Sequence, residues 1–112
     1  MAKVEITEEL RKEIDKKFKA DSIKIFELMY SLQKEPKKGK LLTSVGGILI
    51  KELKYKNFRF YFLVEGHNLK ILSEEELTEL LIRFVRMSDK KSQQKIIDEI
   101  REALIKINSQ EL

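Results

Sequence analysis

An arginine set among aromatic residues in a short extended stretch is the grouping in this chain with the clearest chemical use. The stretch is KYKNFRFYFLV, residues 54–64. At a side-chain period of two, Phe58, Phe60, Phe62 and Val64 point one way, and Tyr55, Asn57, Arg59, Tyr61 and Leu63 the other. The run of large apolar groups must face a core, so Arg59 is expected on the opposite face of a sheet. On the preceding strand Leu49, Lys51 and Leu53 share one parity. If these residues line the outer face, Lys51 lies near Arg59. A bland reading has Arg59 paired with Glu52 or Glu65 across the sheet, with the lysines as ordinary solvent-facing residues.

An open sheet face carrying Arg59, Tyr61 and Lys51 would suit RNA chemistry. A ribose 2′-hydroxyl can attack its adjacent phosphate if one group takes the 2′ proton, another protonates the 5′ leaving oxygen, and a cation clamps the phosphorane. Arginine grips phosphoryl oxygens through a planar fork, and lysine supplies a compact charge that can move a proton where its pKa falls. Tyrosine can stack on a base. No metal and no cofactor is required by this scheme.

Charge points the same way. The chain has 112 residues and a formal charge of +4. Residues 34–60 hold eight basic side chains, including Lys37, Lys38, Lys40, Lys51, Lys54, Lys56 and Arg59, against Glu35 and Glu52. That segment carries +6 and the remainder −2, so a polyanionic partner is expected for the middle of the chain. Cysteine is absent, which excludes disulfides, thiolate metal sites and cysteine nucleophiles. His67 lies in the turn EGHN with no second histidine, and Glu74 to Glu76 lack the spacing of a calcium loop, so neither is read as a metal site. No signal peptide is visible and apolar runs are short, so a cytoplasmic protein without membrane attachment is expected.

The elements that must position these groups follow from periodicity. A length of 112 residues with 42% apolar content suits a single domain, residues 1–112, with one modest core. Thr7 caps a predicted helix over 8–19, with Glu8 and Glu9 at its positive end. Asp21 is the expected cap of a second helix over 22–35, ended by Pro36 and Gly39. Residues 36–47 are expected as a basic loop. It is not a phosphate-binding P-loop, because the glycine spacing and lysine-hydroxyl pair are missing.

From residue 48 the period becomes two, and ILIKELK, NFRFYFLV, NLKIL and LTELLIRFVR read as four short strands. The last of these, 77–86, is taken as strand, the alternative being a helix begun by Glu74 to Glu76. Ser88 or Asp89 is the candidate cap of a final helix over 92–107. Ile96, Ile100, Ala103, Leu104 and Ile107 form its apolar face, and it either packs back on the sheet or pairs with a partner. The predicted class is α+β: two N-terminal helices packed on a curved antiparallel sheet of about four strands, with a C-terminal helix.

The ordered series SLQKEPKKGKLL, GGILIKELKYKNFRFYFLVEGHNLKILS and RFVRMSDKKSQQKIIDEIREAL resembles the RelE/ParE toxin superfamily, in its HigB-like, phage-derived branch. The resemblance runs from about Leu28 to Ala103, roughly two thirds of the chain. It implies a toxin that cleaves messenger RNA, usually at the ribosome, and is held inactive by a cognate antitoxin. It makes Arg59 the phosphate-contacting catalytic residue, with Lys51 and Lys54 as the basic residues of the preceding strand. The basic group after the last strand corresponds to Arg83, Arg86, Lys90 and Lys91. The departures are specific: FVRMSDKKS offers no tyrosine or histidine near its basic cluster, and Met87 and Ser88 interrupt the usual FxKK pattern. One branch of the superfamily poisons DNA gyrase instead. A noncatalytic interaction protein of this fold, or a basic nucleic-acid-binding domain, is the alternative expectation.

Overall fold

The computed structural model describes residues 2–65 and 81–110, and side chains as far as Ile107. The predicted turn 65–68 beyond Glu65, the predicted strand 68–72, His67, Glu74 to Glu76 and the first part of 77–86 lie outside the described residues.

Strand β1 is Lys3–Ile6, followed by helices α1, Glu8–Phe18, and α2, Ser22–Tyr30. Strands β2, Lys40–Val45, β3, Ile48–Tyr55, and β4, Phe58–Glu65, come next. Strand β5, Leu81–Asp89, and helix α3, Gln93–Gln110, complete the described chain. The α+β class holds, with a different sheet. Among the described residues it has five strands in the order β1-β5-β4-β3-β2, and β1 runs parallel to β5 while the other pairs are antiparallel.

Two strands escaped the periodic reading. β1 is four residues long and offers only Val4 and Ile6 as an alternating pair, too few to stand out from a frayed terminus. β2 lies within the expected basic loop. It is an edge strand whose register slips between Leu41 and Thr43, so its alternation is broken where it would have been read.

The N-terminal helices form as the caps require. The Thr7 hydroxyl accepts from the Leu10 N–H at 3.3 Å, with Glu8 and Glu9 in the first turn and Lys16 and Lys17 in the last. Asp21 makes no side-chain cap bond. Helix α2 is anchored instead by Ser22, whose buried hydroxyl donates to the Ile14 carbonyl at 3.1 Å. α2 ends at Tyr30 in a 3-10 turn over Ser31–Gln33, where the Ser31 hydroxyl takes up the Leu28 carbonyl.

Alternation along β4 is realised as predicted. Phe60, Phe62 and Val64, with Leu53, Ile82 and Phe84, are buried against Leu10 and Ile14 of α1 and Ile25 and Met29 of α2. The opposite face is not open, contrary to expectation. Helix α3 lies on it, with Ile96, Ile100 and Leu104 packed on Ile50 and Tyr61. These three residues recur at a spacing of four and make one stripe. Burying each contributes about 1.5–3 kcal/mol, enough to hold the helix down. Ala103 and Ile107, expected on that stripe, are exposed. The domain is therefore helix, sheet, helix in three layers, with the polar groups of interest in the second interface.

Candidate functional site

Strand register assembles two rows of side chains across the face beneath α3. One runs Lys40, Glu52, Tyr61, Arg86 through β2, β3, β4 and β5. The next runs Lys54, Arg59, Ser88 through β3, β4 and β5. Beyond them the face turns apolar, with Ile50 and Leu63 opposite each other. Four of these groups are deeply buried: Glu52 and Arg59 at 4% and 6% exposure, Tyr61 at 0%, Ser88 at 7%.

Arg59 is the least compensated of them. Its Nε is buried and has no hydrogen-bond partner. Among the described residues no carboxylate lies within ion-pair distance of it, so pairing with Glu52 or Glu65 is not what holds it. A buried guanidinium with an unmet donor is costly, and such a group calls for an explanation.

Its neighbours are well fixed. The Tyr61 and Ser88 hydroxyls are 2.7 Å apart, and the Ser88 hydroxyl also donates to the Asp89 carbonyl at 2.9 Å. Ser88 has one proton to give, so the tyrosine donates to the serine. Burial pushes the Tyr61 phenol up from its ordinary pKa, and the Glu52 charge adds to this, while the Ser88 bond and the Arg59 charge oppose it. Glu52 accepts from Gln93 Nε2 at 3.1 Å, which brings the first turn of α3 onto the polar rows. Arg86 donates to Glu99 at 2.9 Å, and this half-exposed pair fastens the same helix one and a half turns further on.

Several expected site residues lie elsewhere. Lys51 does not lie near Arg59. It pairs with Phe62 in register and shares that residue's face, toward α1 and α2. There its ammonium donates to the Lys37 and Lys38 carbonyls, both at 3.1 Å, and lies 5.7 Å from the Phe62 ring centre. Burial lowers its pKa, as the notion of a proton-moving lysine requires, but the group is spent on holding the 34–40 loop. The parity was right and the face assignment was wrong, because Leu49 and Leu53 belong to the main core.

Arg83 opposes Leu63, four residues along β4 from Arg59 and so about 13 Å away at the strand rise. It bonds Glu5 of β1 through two nitrogens at 3.2 and 3.0 Å, and this holds the Glu5 carboxyl below its ordinary pKa. A cleft of about 160 Å³ at that end is lined by Ile48, Leu63, Glu65, Leu81 and Arg83, away from the two polar rows.

Lys37, Lys38, Lys40, Lys54, Lys56, Lys90 and Lys91 are exposed. Of these, Lys54 and Lys40 stand in the rows with Arg59 and Glu52. Arg86 stands there too, committed to Glu99. The sequence alone does not mark Glu52 as a site residue. Its signal was present, since it is the one acid in ILIKELK and shares the parity of Lys54, but a strand glutamate reads as surface until a helix covers it.

Compared with known proteins, the chain matches no family model, no curated protein and no solved structure. Among the described residues, no helix is long and apolar enough to cross a membrane.

Proposed function

We propose that the protein is the toxin of a toxin–antitoxin pair and cleaves messenger RNA by 2′-hydroxyl attack, with no cofactor. The observation that carries this reading is Arg59. It is a buried cation on the face away from α1 and α2, with an unmet donor and no carboxylate partner among the described residues. A phosphoryl oxygen supplies what that guanidinium lacks.

In this reading Glu52 accepts the 2′ proton and the 2′ oxygen bonds to phosphorus. Arg59 holds the charge that develops on the equatorial oxygens. Lys54, across the ladder from Arg59, protonates the 5′ oxygen as its bond to phosphorus breaks. The products are a 2′,3′-cyclic phosphate and a 5′-hydroxyl. The Tyr61–Ser88 pair keeps the floor of the site rigid. The first turn of α3, held by the Gln93–Glu52 bond, must yield for a phosphate to reach Arg59. The ribosome as the place of cleavage and an antitoxin as the protein partner belong to the same proposal and follow from the family resemblance.

Controlled expression tests it. The wild-type chain is expected to arrest growth and leave transcripts with new 5′-hydroxyl ends, and Arg59→Ala to do neither. An equally toxic Arg59→Ala would sink the assignment. Intact transcripts with an induced DNA-damage response would turn the reading to a gyrase-directed protein.

A further inference from the structure

The geometry points to a second contact surface, a lysine rim at the hairpin end of the sheet that grips the phosphate backbone of the RNA strand outside the reacting nucleotide. Three separate segments meet there. The end of α1 supplies Lys17 and Lys19, the β3–β4 turn supplies Lys56, and the β5–α3 turn supplies Lys90 and Lys91, all exposed. Aromatic contacts bring the segments together. Phe18 lies edge-on to Phe58 at 5.0 Å and to Tyr55 at 6.3 Å, and Phe58 opposes Asp89 in register. Lys17 stands 5.0 Å from the Phe58 ring centre and Lys56 5.5 Å from that of Tyr55. Asp89 is the acid set within this cluster, and its carboxylate is occupied by the Ser92 N–H at 2.8 Å. Asp21, two residues beyond Lys19, lies at its margin.

Backbone conformation marks two of these lysines. Among the described residues, only Lys19 and Lys56 have positive φ without being glycine, at 49° and 53°. Lys56 is the first of two residues linking Tyr55 to Phe58, a position where a tight hairpin favours glycine. Lys19 ends α1, where glycine is again the unstrained choice. Both strained residues flank the same aromatic cluster, and both carry a positive charge. Structure alone would be better served by glycine at either place, so the side chains are the part with a use.

RNA backbone fits better than an acidic polypeptide. The charges surround half-exposed Tyr55 and Phe58, whose rings can take a base, and the rim continues into Arg59 through its ladder partner Lys54. The surface deepens the ribonuclease reading and rests on it for the identity of the strand.

Binding to a 2′-O-methylated RNA 12-mer separates the two, because that strand cannot react. The double variant Lys19→Gly, Lys56→Gly is expected to keep or raise the melting temperature. It is also expected to weaken binding about 20-fold near 0.1 M salt and to flatten the log–log salt slope by about 1.4, the effect of two lost phosphate contacts. Lys19→Asn, Lys56→Asn, which also tolerates positive φ, should behave alike. Lys12→Gln, Lys106→Gln removes the same charge elsewhere and should leave the slope near wild type. Rim variants that bind as wild type does, or a wild-type chain that ignores the RNA, would overturn the inference. So would loss of polyglutamate binding with RNA binding kept. Rim-dependent binding together with an Arg59→Ala form that still cleaves would leave the rim standing and remove the catalytic reading.

Discussion

Lys51 and Arg59 leave the same sheet by opposite faces, one bracing a loop over the main core and the other lying under α3. Their substitutions should therefore separate. Lys51→Ala leaves two loop carbonyls without a donor and should cost about 1–3 kcal/mol by urea unfolding, while transcript cleavage persists below the melting temperature. Arg59→Ala removes a buried charge with an unmet donor. It should leave stability nearly unchanged or raised and abolish cleavage. A Lys51→Ala form that folds as wild type and is inactive would return that residue to the site.

Gly39 should tolerate no side chain. Its φ is +102°, and an added Cβ would stand 2.7 Å from Phe62 Cζ and 3.1 Å from the Glu52 carbonyl oxygen. Gly39→Ala is expected to lower stability by about 2 kcal/mol or more, through backbone strain and displacement of a core ring. Thermal unfolding of the purified variant checks it.

The Tyr61–Ser88 contact should respond unequally to loss of its two ends. Tyr61→Phe leaves the serine bonded to the Asp89 carbonyl and should cost about 1 kcal/mol. Ser88→Ala strands a buried phenol and should cost more, about 1–3 kcal/mol. Equal costs would mean that the tyrosine finds another acceptor.

Asp89 gives the turn before α3 an acid sensitivity. Its pKa is held below the ordinary value, first by the Ser92 backbone N–H and with the help of Lys17 and Lys91. A depressed folded-state pKa contributes stability above the unfolded value, about 3.9, that fades as pH falls through the folded one. Melting curves of wild type and Asp89→Asn should thus differ at neutral pH and converge as pH falls through the depressed folded-state pKa. A gap that persists in acid would assign the effect to the side-chain geometry and not to its charge.

How much of this was legible in the chain depends on where each signal came from. Phe58, Phe60, Phe62 and Val64 announced the buried side of β4 because a period of two is a local property. Thr7 announced α1 for the same reason. The face taken by Lys51 depended on which side of β3 met α1 and α2, and Leu49 and Leu53 fit either. The cover over Arg59 depended on α3 returning to the sheet, which Ile96, Ile100 and Leu104 permit without requiring. β1 could not be read at all, since four residues acquire meaning only beside β5. The polar rows were half visible: Arg59 and Tyr61 by type and parity, Lys54 through the family resemblance, and Glu52 and Ser88 on Arg59's side only through register.

That pairing of β1 with β5 also bears on how the chain is made. Glu5 and Arg83 are 78 residues apart in sequence. At a synthesis rate of about 5–20 residues per second, β1 waits roughly 4–16 s for its neighbour to be translated. During that interval β4 has no β5 beside it, and the serine that completes the floor beside Arg59 does not yet exist. The nascent polypeptide therefore cannot complete the two polar rows beneath α3 until synthesis has passed Ser88.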